Sequence, residues 1–89
     1  MNRKEFVTEV AKRKGIRRQQ AYRSVNAVMD TIRILLIEGE KIEIGGFGTF
    51  DVLTDLKGEH ISVLKSGRAL KRVLNILPNN KYIQGEFND

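Results

Sequence analysis

The spacing of the apolar residues changes at Gly39, and this change restricts the fold more than any other feature of the sequence. Before it, apolar residues recur every three or four positions, which is the period of an amphipathic helix. After it, the segment Lys41-Ile42-Glu43-Ile44 alternates charged and apolar residues, as a half-buried strand does. Helices followed by strands predict an α+β protein.

Two helices are predicted in the first part of the chain. Asn2 can cap a helix over residues 3–14, Glu5 completes a capping box, and Gly15 can end that helix in a left-handed conformation. The second helix spans about residues 18–38 and starts without a Ser, Thr or Asp cap. The apolar stripe of the first helix consists of Phe6, Val7, Val10 and Ala11.

Further strands are predicted in the second part of the chain. Gly45-Gly46 permits a bend before a strand over residues 47–52. Lys57-Gly58 fits a two-residue turn between extended segments over residues 54–56 and 61–63. These two segments can form only a short hairpin, because each of them is only three residues long.

The segment Leu64-Lys65-Ser66-Gly67-Arg68-Ala69-Leu70-Lys71 carries three cations around the start of a third predicted helix. Ser66 can cap this helix, and Pro78 stops it because the residue before a proline resists helical angles. The amino-terminal end of a helix also attracts phosphate groups. The three cations are therefore candidate phosphate ligands.

The charge distribution indicates a polyanionic partner. The 89 residues carry a formal net charge of +5, yet both ends are basic and the middle is acidic. Residues 1–23 hold eight Lys or Arg against two acids, residues 24–63 hold three against seven, and residues 64–89 hold five against two. A surface made from both ends would face a polyanion such as nucleic acid, whereas the plainer interpretation is solubility.

Other classes of function find no support in the sequence. No run of 18 apolar residues could span a membrane and no signal peptide pattern is present, so the expected location is intracellular. Asp55, Glu59 and His60 lack a nucleophile, and His60 has no Cys or second His beside it, so we expect no catalytic site, metal or cofactor. A chain this small without cysteine is expected to gain stability as a dimer.

Three segments together resemble the HU/IHF family of DNA-bending proteins: the opening Met1-Asn2-Arg3-Lys4-Glu5-Phe6, the segment Gly46-Phe47-Gly48-Thr49-Phe50, and Leu64 to Lys71. The resemblance covers residues 1 to about 76. It implies an intertwined dimer with two amino-terminal helices, a three-stranded antiparallel sheet and a carboxyl-terminal helix, in which the sheets form a saddle over DNA. The DNA contacts that it implies are Arg3, Lys65, Ser66, Arg68 and Lys71. The dimer core that it implies contains Phe47, Phe50 and Leu64.

The DNA-clasping arm of that family is shortened here to residues 53–63. This stretch holds Lys57 against Asp55 and Glu59 and has no proline, whereas the family's arm is rich in Arg and Lys and inserts a proline between base steps. Five or six residues per strand of the arm reach roughly 15–20 Å. The resemblance therefore implies a non-enzymatic, largely sequence-neutral DNA-binding architectural protein with reduced bending, as a homodimer or a heterodimer with an HU/IHF-like chain.

The tail, residues 78–89, lies outside this resemblance and follows a predicted domain over residues 1–77. Its Tyr82, Ile83 and Phe87 either cover their own domain or dock another protein. In the second case the chain is a structural or adaptor protein in a larger assembly such as a phage particle, and deleting the tail should abolish partner capture. A third possibility is a subunit that pairs with a full-length relative into one-armed dimers. The expected location is the cytoplasm and nucleoid, or the host cytoplasm or virion if a phage encodes the chain.

Overall fold

The computed structural model describes residues 1–76, which contain three helices and one three-stranded sheet. The elements are α1 (Arg3–Lys14), α2 (Arg18–Ile37), β1 (Ile42–Ile44), β2 (Gly48–Thr54), β3 (His60–Ser66) and α3 (Arg68–Asn75). The chain divides into two compact units, a helical unit of residues 1–40 and a second unit that begins at Lys41. This order confirms the α+β fold predicted from the change in apolar spacing. None of the described helices is long and apolar enough to cross a membrane.

Helix α1 begins and ends as the sequence predicts. The Asn2 side chain accepts a hydrogen bond from the Glu5 backbone N–H (2.8 Å), and the Glu5 carboxylate accepts one from the Asn2 N–H (3.4 Å). Gly15 follows the helix in the left-handed region, with φ 64°, where a residue without a Cβ has no steric penalty. Both ends of α1 are therefore determined by local chemistry.

The core of the helical unit is small. Its buried side chains are Val7, Ala21 and Val25. Packed against them are the partly buried Val10, Ala11 and Ile16. Phe6, at the edge of the predicted stripe, remains 41% exposed. Full burial of one aliphatic side chain contributes about 1.5–3 kcal/mol, so this core stabilises the unit only modestly.

The second unit contains an antiparallel sheet in the order β1-β2-β3. Strands β2 and β3 pair along their whole length, while β1 covers only the first three residues of β2. Side chains alternate between the two faces of a sheet. The face that we call the aromatic face carries Phe50, Val52, Ser62 and Leu64. The lysine face carries Glu43, Thr49, Asp51, Leu53, Ile61, Val63 and Lys65.

The turn between β2 and β3 is longer than the predicted two-residue turn, and that prediction is wrong. The Gly58 N–H donates to the Asp55 carbonyl (3.1 Å) and the Asp55 N–H donates to the Glu59 carbonyl (2.9 Å), so residues 55–59 form the loop. Gly58 has φ 85°, as in a type I turn followed by a bulge. The Asp55 carboxylate favours this wider loop because it accepts from the backbone N–H groups of Lys57 (2.8 Å) and Glu59 (2.9 Å).

The β1–β2 turn and the end of β3 approach each other closely at Gly48. The Gly67 N–H donates to the Phe47 carbonyl (2.9 Å), and a Cβ on Gly48 would overlap the Lys65 carbonyl oxygen. Glycine is therefore required at position 48 by packing. Phe47 lies in the turn instead of the predicted strand over residues 47–52, since β2 begins at Gly48.

Helix α3 starts without the predicted serine cap. Ser66 is the last residue of β3 and pairs with Gly48, and the capping position belongs to Gly67, with no side-chain hydrogen bond. The prediction that Ser66 caps α3 is therefore wrong, because the strand pairing continues through this residue. The helix ends at Asn75, so the predicted stop at Pro78 and the boundary after residue 77 lie outside the described residues.

Candidate nucleic-acid interface

The predicted phosphate ligands of the second unit lie at the junction of β3 and α3. Lys65 and Ser66 end the strand, Arg68 opens the helix, and Lys71 follows one turn later. The residue between strand and helix, Gly67, donates its N–H to the β1–β2 turn and accepts from the Lys71 N–H (2.9 Å). The structure therefore brings four of the predicted DNA-binding residues together on one anchored corner of the chain.

One face of α3 is polar and carries three cations. Residues three and four apart share a helix face, so Arg72 joins Arg68 and Lys71. We call these three residues the α3 cations. All three are exposed, and none has an ion-pair partner within residues 1–76. Arg72 is absent from the DNA contacts predicted from the sequence, although its spacing of four residues from Arg68 indicates the shared face. The opposite face of α3 carries the apolar Leu70, Val73 and Leu74.

The start of α3 is free of competing acceptors from its own first turn. No acidic residue lies in that turn, and no side chain caps it. The first N–H groups of a helix have no partner inside the helix, and together with the helix dipole they favour a bound anion. A phosphate oxygen approaching this end would meet backbone donors and the Arg68 side chain together.

Lys65 has different electrostatic surroundings from the α3 cations. It pairs with Thr49 on the lysine face, where Asp51 is its diagonal neighbour and Glu43 lies opposite Thr49. Diagonal neighbours on one face of a sheet lie about 7–8 Å apart. Glu43 already pairs with Lys41 (3.6 Å), so we expect the Asp51 carboxylate above all to lower the attraction of Lys65 for phosphate.

Arg3 lies in the helical unit, as the first residue of α1. Its guanidinium Nη1 donates to the Asn26 side-chain oxygen at 3.2 Å. An arginine has five N–H donors, so this contact leaves others for a ligand. Because Arg3 belongs to the separate unit, its grouping with the β3–α3 corner stays a prediction.

The three predicted dimer-core residues form one apolar patch, here called the aromatic patch, in which Phe50 is half-buried and the other two are exposed. The rings of Phe47 and Phe50 stack with their centroids 6.2 Å apart and their planes at 28°, and Leu64 pairs directly with Phe50 across the β2–β3 ladder. Phe47 is 43% exposed and Leu64 is 46% exposed in the single chain. Contiguous exposed apolar residues mark contact surfaces. The part these residues have in a dimer stays a prediction.

The polar residues of the β2–β3 loop and of the strand ends beside it make local contacts. The Asp55 carboxylate accepts the two turn hydrogen bonds described above, and His60 Nδ1 lies 3.0 Å from the Thr54 hydroxyl oxygen. Within residues 1–76, no group of three or more His, Cys, Asp or Glu side chains could hold a metal ion. The tail residues Tyr82, Ile83 and Phe87 lie outside the described residues, so a protein partner for the tail stays a prediction.

Comparison with known proteins identifies the family. The family model described as bacterial DNA-binding protein matches residues 1–64. The chain belongs to the HU/IHF family of bacterial DNA-binding proteins. This confirms the resemblance of the opening segment and of the glycine- and phenylalanine-rich segment, both of which lie inside the matched range.

Relatives in this family are named HU proteins. Over 52 residues the chain is 44% identical to the SPbeta prophage-derived DNA-binding protein HU 2 of Bacillus subtilis, and 38% identical to the DNA-binding protein HU of Geobacillus stearothermophilus. The matched stretch covers 58% of this chain, and 56% and 58% of those relatives. It therefore spans a little more than half of their length.

Solved structures of the family share the fold. HU from Thermotoga maritima matches with a TM-score of 0.70 at 34% identity, covering 83% of this chain and 98% of that one. The Anabaena HU of an HU–DNA cocrystal matches with a TM-score of 0.66 at 22% identity, covering 86% and 100%. Both confirm the arrangement of three helices and a three-stranded antiparallel sheet.

Proposed function

We propose that the chain is a non-enzymatic architectural protein that binds double-stranded DNA through its phosphate backbone. The observation that carries this proposal is the set of α3 cations, which share one exposed helix face at an uncapped helix start. Family membership supports it, since relatives such as HU 2 are named DNA-binding proteins. A protein with this function is expected on the nucleoid, or in the host cytoplasm or virion if a phage encodes it.

The binding is largely independent of base sequence. Phosphate contacts position a protein on the duplex but carry no sequence information, which is read from base edges in the grooves. The candidate ligands described above are cations and helix N–H groups that suit phosphate oxygens. We therefore expect duplexes of different sequence to bind alike.

Bending is weak because the hairpin is short and its tip is acidic. Only residues 51–54 of β2 extend beyond β1, which is about 13 Å at 3.3 Å per residue. The loop at the end of the hairpin contains two carboxylates, Asp55 and Glu59, and a single cation, Lys57. Phosphate groups would repel the two carboxylates. We therefore do not expect the sharp kink that follows when an apolar wedge is inserted between base steps.

A short duplex labelled at its two ends with a donor and an acceptor fluorophore tests binding and bending together. We expect log affinity to fall linearly with log salt, by about 0.9 per neutralised phosphate, while energy transfer between the ends changes little. No binding at low salt would contradict the function. A large rise in energy transfer on binding would contradict weak bending.

The working form that we propose is a dimer, of this chain with itself or with another HU/IHF-like chain. The exposed aromatic patch and the small core of the helical unit support it, because a chain that buries so little is marginal alone. Sedimentation equilibrium at high salt should give twice the 10.2 kDa chain mass, or that of a mixed dimer when an HU relative is added. A single-chain mass in both cases would contradict the dimer.

A further inference from the structure

The tip of the β2–β3 hairpin exposes apolar side chains that the phosphate-binding function does not use. Leu56 sits in the turn and is completely exposed. Leu53 and Ile61 pair directly across the ladder on the lysine face and are 42% and 48% exposed. These three residues, with Asp55 and Glu59, are here called the hairpin tip. Exposed apolar residues grouped in this way are typical of a contact surface.

The negative charge of the hairpin tip indicates what kind of partner it can bind. Asp55 and Glu59 flank Leu56 in the turn, and Asp51 shares the lysine face with the apolar pair. Lys57 is the one cation between residues 51 and 63. Carboxylates around an apolar surface disfavour a nucleic acid, and they favour a basic protein surface through electrostatic complementarity.

The turn presents this surface in a defined geometry. The Asp55 carboxylate holds the backbone of the loop through two hydrogen bonds of 2.8 and 2.9 Å, and Gly58 supplies the left-handed conformation that the bulge needs. A preformed loop loses little conformational entropy when it binds, which favours association.

A complementary basic surface lies in the helical unit of the same chain. The last turn of α1 carries Lys12 and Lys14, and Arg17 precedes α2; all three are exposed and without an ion-pair partner within residues 1–76. We call these three residues the basic turn. It is part of the most basic stretch of the chain, residues 1–23, which hold eight Lys or Arg against two acids. Two surfaces of opposite charge on one chain allow copies to associate through unlike surfaces.

We propose that the hairpin tip of one copy docks on the basic turn of another copy. The contact joins two different surfaces, so it is heterologous and can extend head to tail into an open array. Because it does not involve the α3 cations, it goes beyond the proposed DNA-binding function and can form without DNA. Copies held close together on one duplex would also bind cooperatively, through their high effective concentration.

Sedimentation velocity without DNA, over a range of protein and salt concentrations, measures this contact. At low salt we expect species larger than the smallest assembly. The fraction of these larger species should decrease as added salt screens the charges. Leu56→Ser should lower the association constant roughly tenfold, because burial of one leucine is lost. The fold should be unchanged, since the Leu56 side chain is completely exposed. Circular dichroism checks the fold.

A charge exchange distinguishes docking from a general effect of net charge. Lys14→Glu lowers the net charge of +5 and so reduces repulsion between copies, yet docking requires that it weakens association. Glu59→Lys should also weaken association. The double variant Lys14→Glu/Glu59→Lys should restore it, because a negative charge at position 14 then attracts a positive charge at position 59. Arg33→Glu, an exposed arginine on α2, is the matched control and should not weaken association.

Five results would each overturn the proposal. They are the absence of larger, salt-sensitive species of the wild type, an unchanged association of Leu56→Ser, an unchanged association of Lys14→Glu or Glu59→Lys, weaker association of the Arg33→Glu control, and a double variant that stays dissociated. If Leu56→Ser weakened DNA binding and left assembly unchanged, the tip would contact nucleic acid, which also contradicts the proposal. Failure of DNA binding alone would leave the assembly measurement intact, so the two proposals fail separately.

Discussion

Replacing Arg68 and Lys71 together with alanine should flatten the salt dependence of DNA binding by about two charges. Each phosphate that a cation neutralises contributes about 0.9 to the slope of log affinity against log salt. Both residues are exposed on one face of α3, and neither has a carboxylate partner within residues 1–76. Adding Arg72→Ala should remove about one more charge from the slope. Fluorescence anisotropy of a labelled duplex over a salt series measures these slopes.

Lys65 provides an informative comparison for the same measurement. Asp51 is its diagonal neighbour on the lysine face, so Lys65→Ala should reduce the slope by less than Arg68→Ala does. Arg33→Ala, on the helical unit, is the control and should leave the slope unchanged. An unchanged slope in the Arg68 and Lys71 double variant would remove α3 from the DNA interface.

Gly48→Ala should destabilise the protein by about 3 kcal/mol or more. A Cβ at this buried position would overlap the Lys65 carbonyl oxygen and press on the Gly67 nitrogen. Both are backbone atoms, so the strain can be relieved only by moving β3 away from β2. Such overpacking costs typically 1–3 kcal/mol where side chains can adjust, and more where only backbone can move. Urea unfolding followed by circular dichroism measures the change.

A neighbouring glycine supplies the matched control for Gly48. A Cβ on Gly45 would meet no atom within 4 Å, and its φ lies outside the left-handed region. Gly45→Ala should therefore change the free energy of unfolding by less than about 0.5 kcal/mol. Equal losses in the two variants would show that glycine matters here for flexibility of the turn and not for close packing.

The helical unit shows how much can be predicted when local chemistry dominates. The capping box of Asn2 and Glu5 and the left-handed Gly15 occur where the sequence predicts them, because their hydrogen bonds form within five residues. The α+β order likewise follows from the apolar period, which depends only on the geometry of helices and strands. These features required no information about distant parts of the chain.

The second unit shows where such prediction fails. Ser66 was expected to cap α3, but the β2–β3 ladder extends to it, and a ladder depends on the register between strands far apart in sequence. The hairpin turn is wider than expected because the Asp55 side chain accepts two backbone hydrogen bonds at once. In both cases two hydrogen-bonding arrangements compete for the same residue. The spacing of residues in the sequence does not show which arrangement is more stable.

The sequence by itself determined the fold class, both ends of α1, the family resemblance and the position of the cations around residues 65–71. Tertiary structure alone decided which acidic residues lie near Lys65, whereas the grouping of the helix cations follows from their spacing along α3. Strand register places Lys65 on a face with Glu43 and Asp51, whereas helix geometry groups Arg72 with Arg68 and Lys71. The physical reason is that charge and side-chain type are local properties, whereas the field at a cation depends on which residues the fold brings near it.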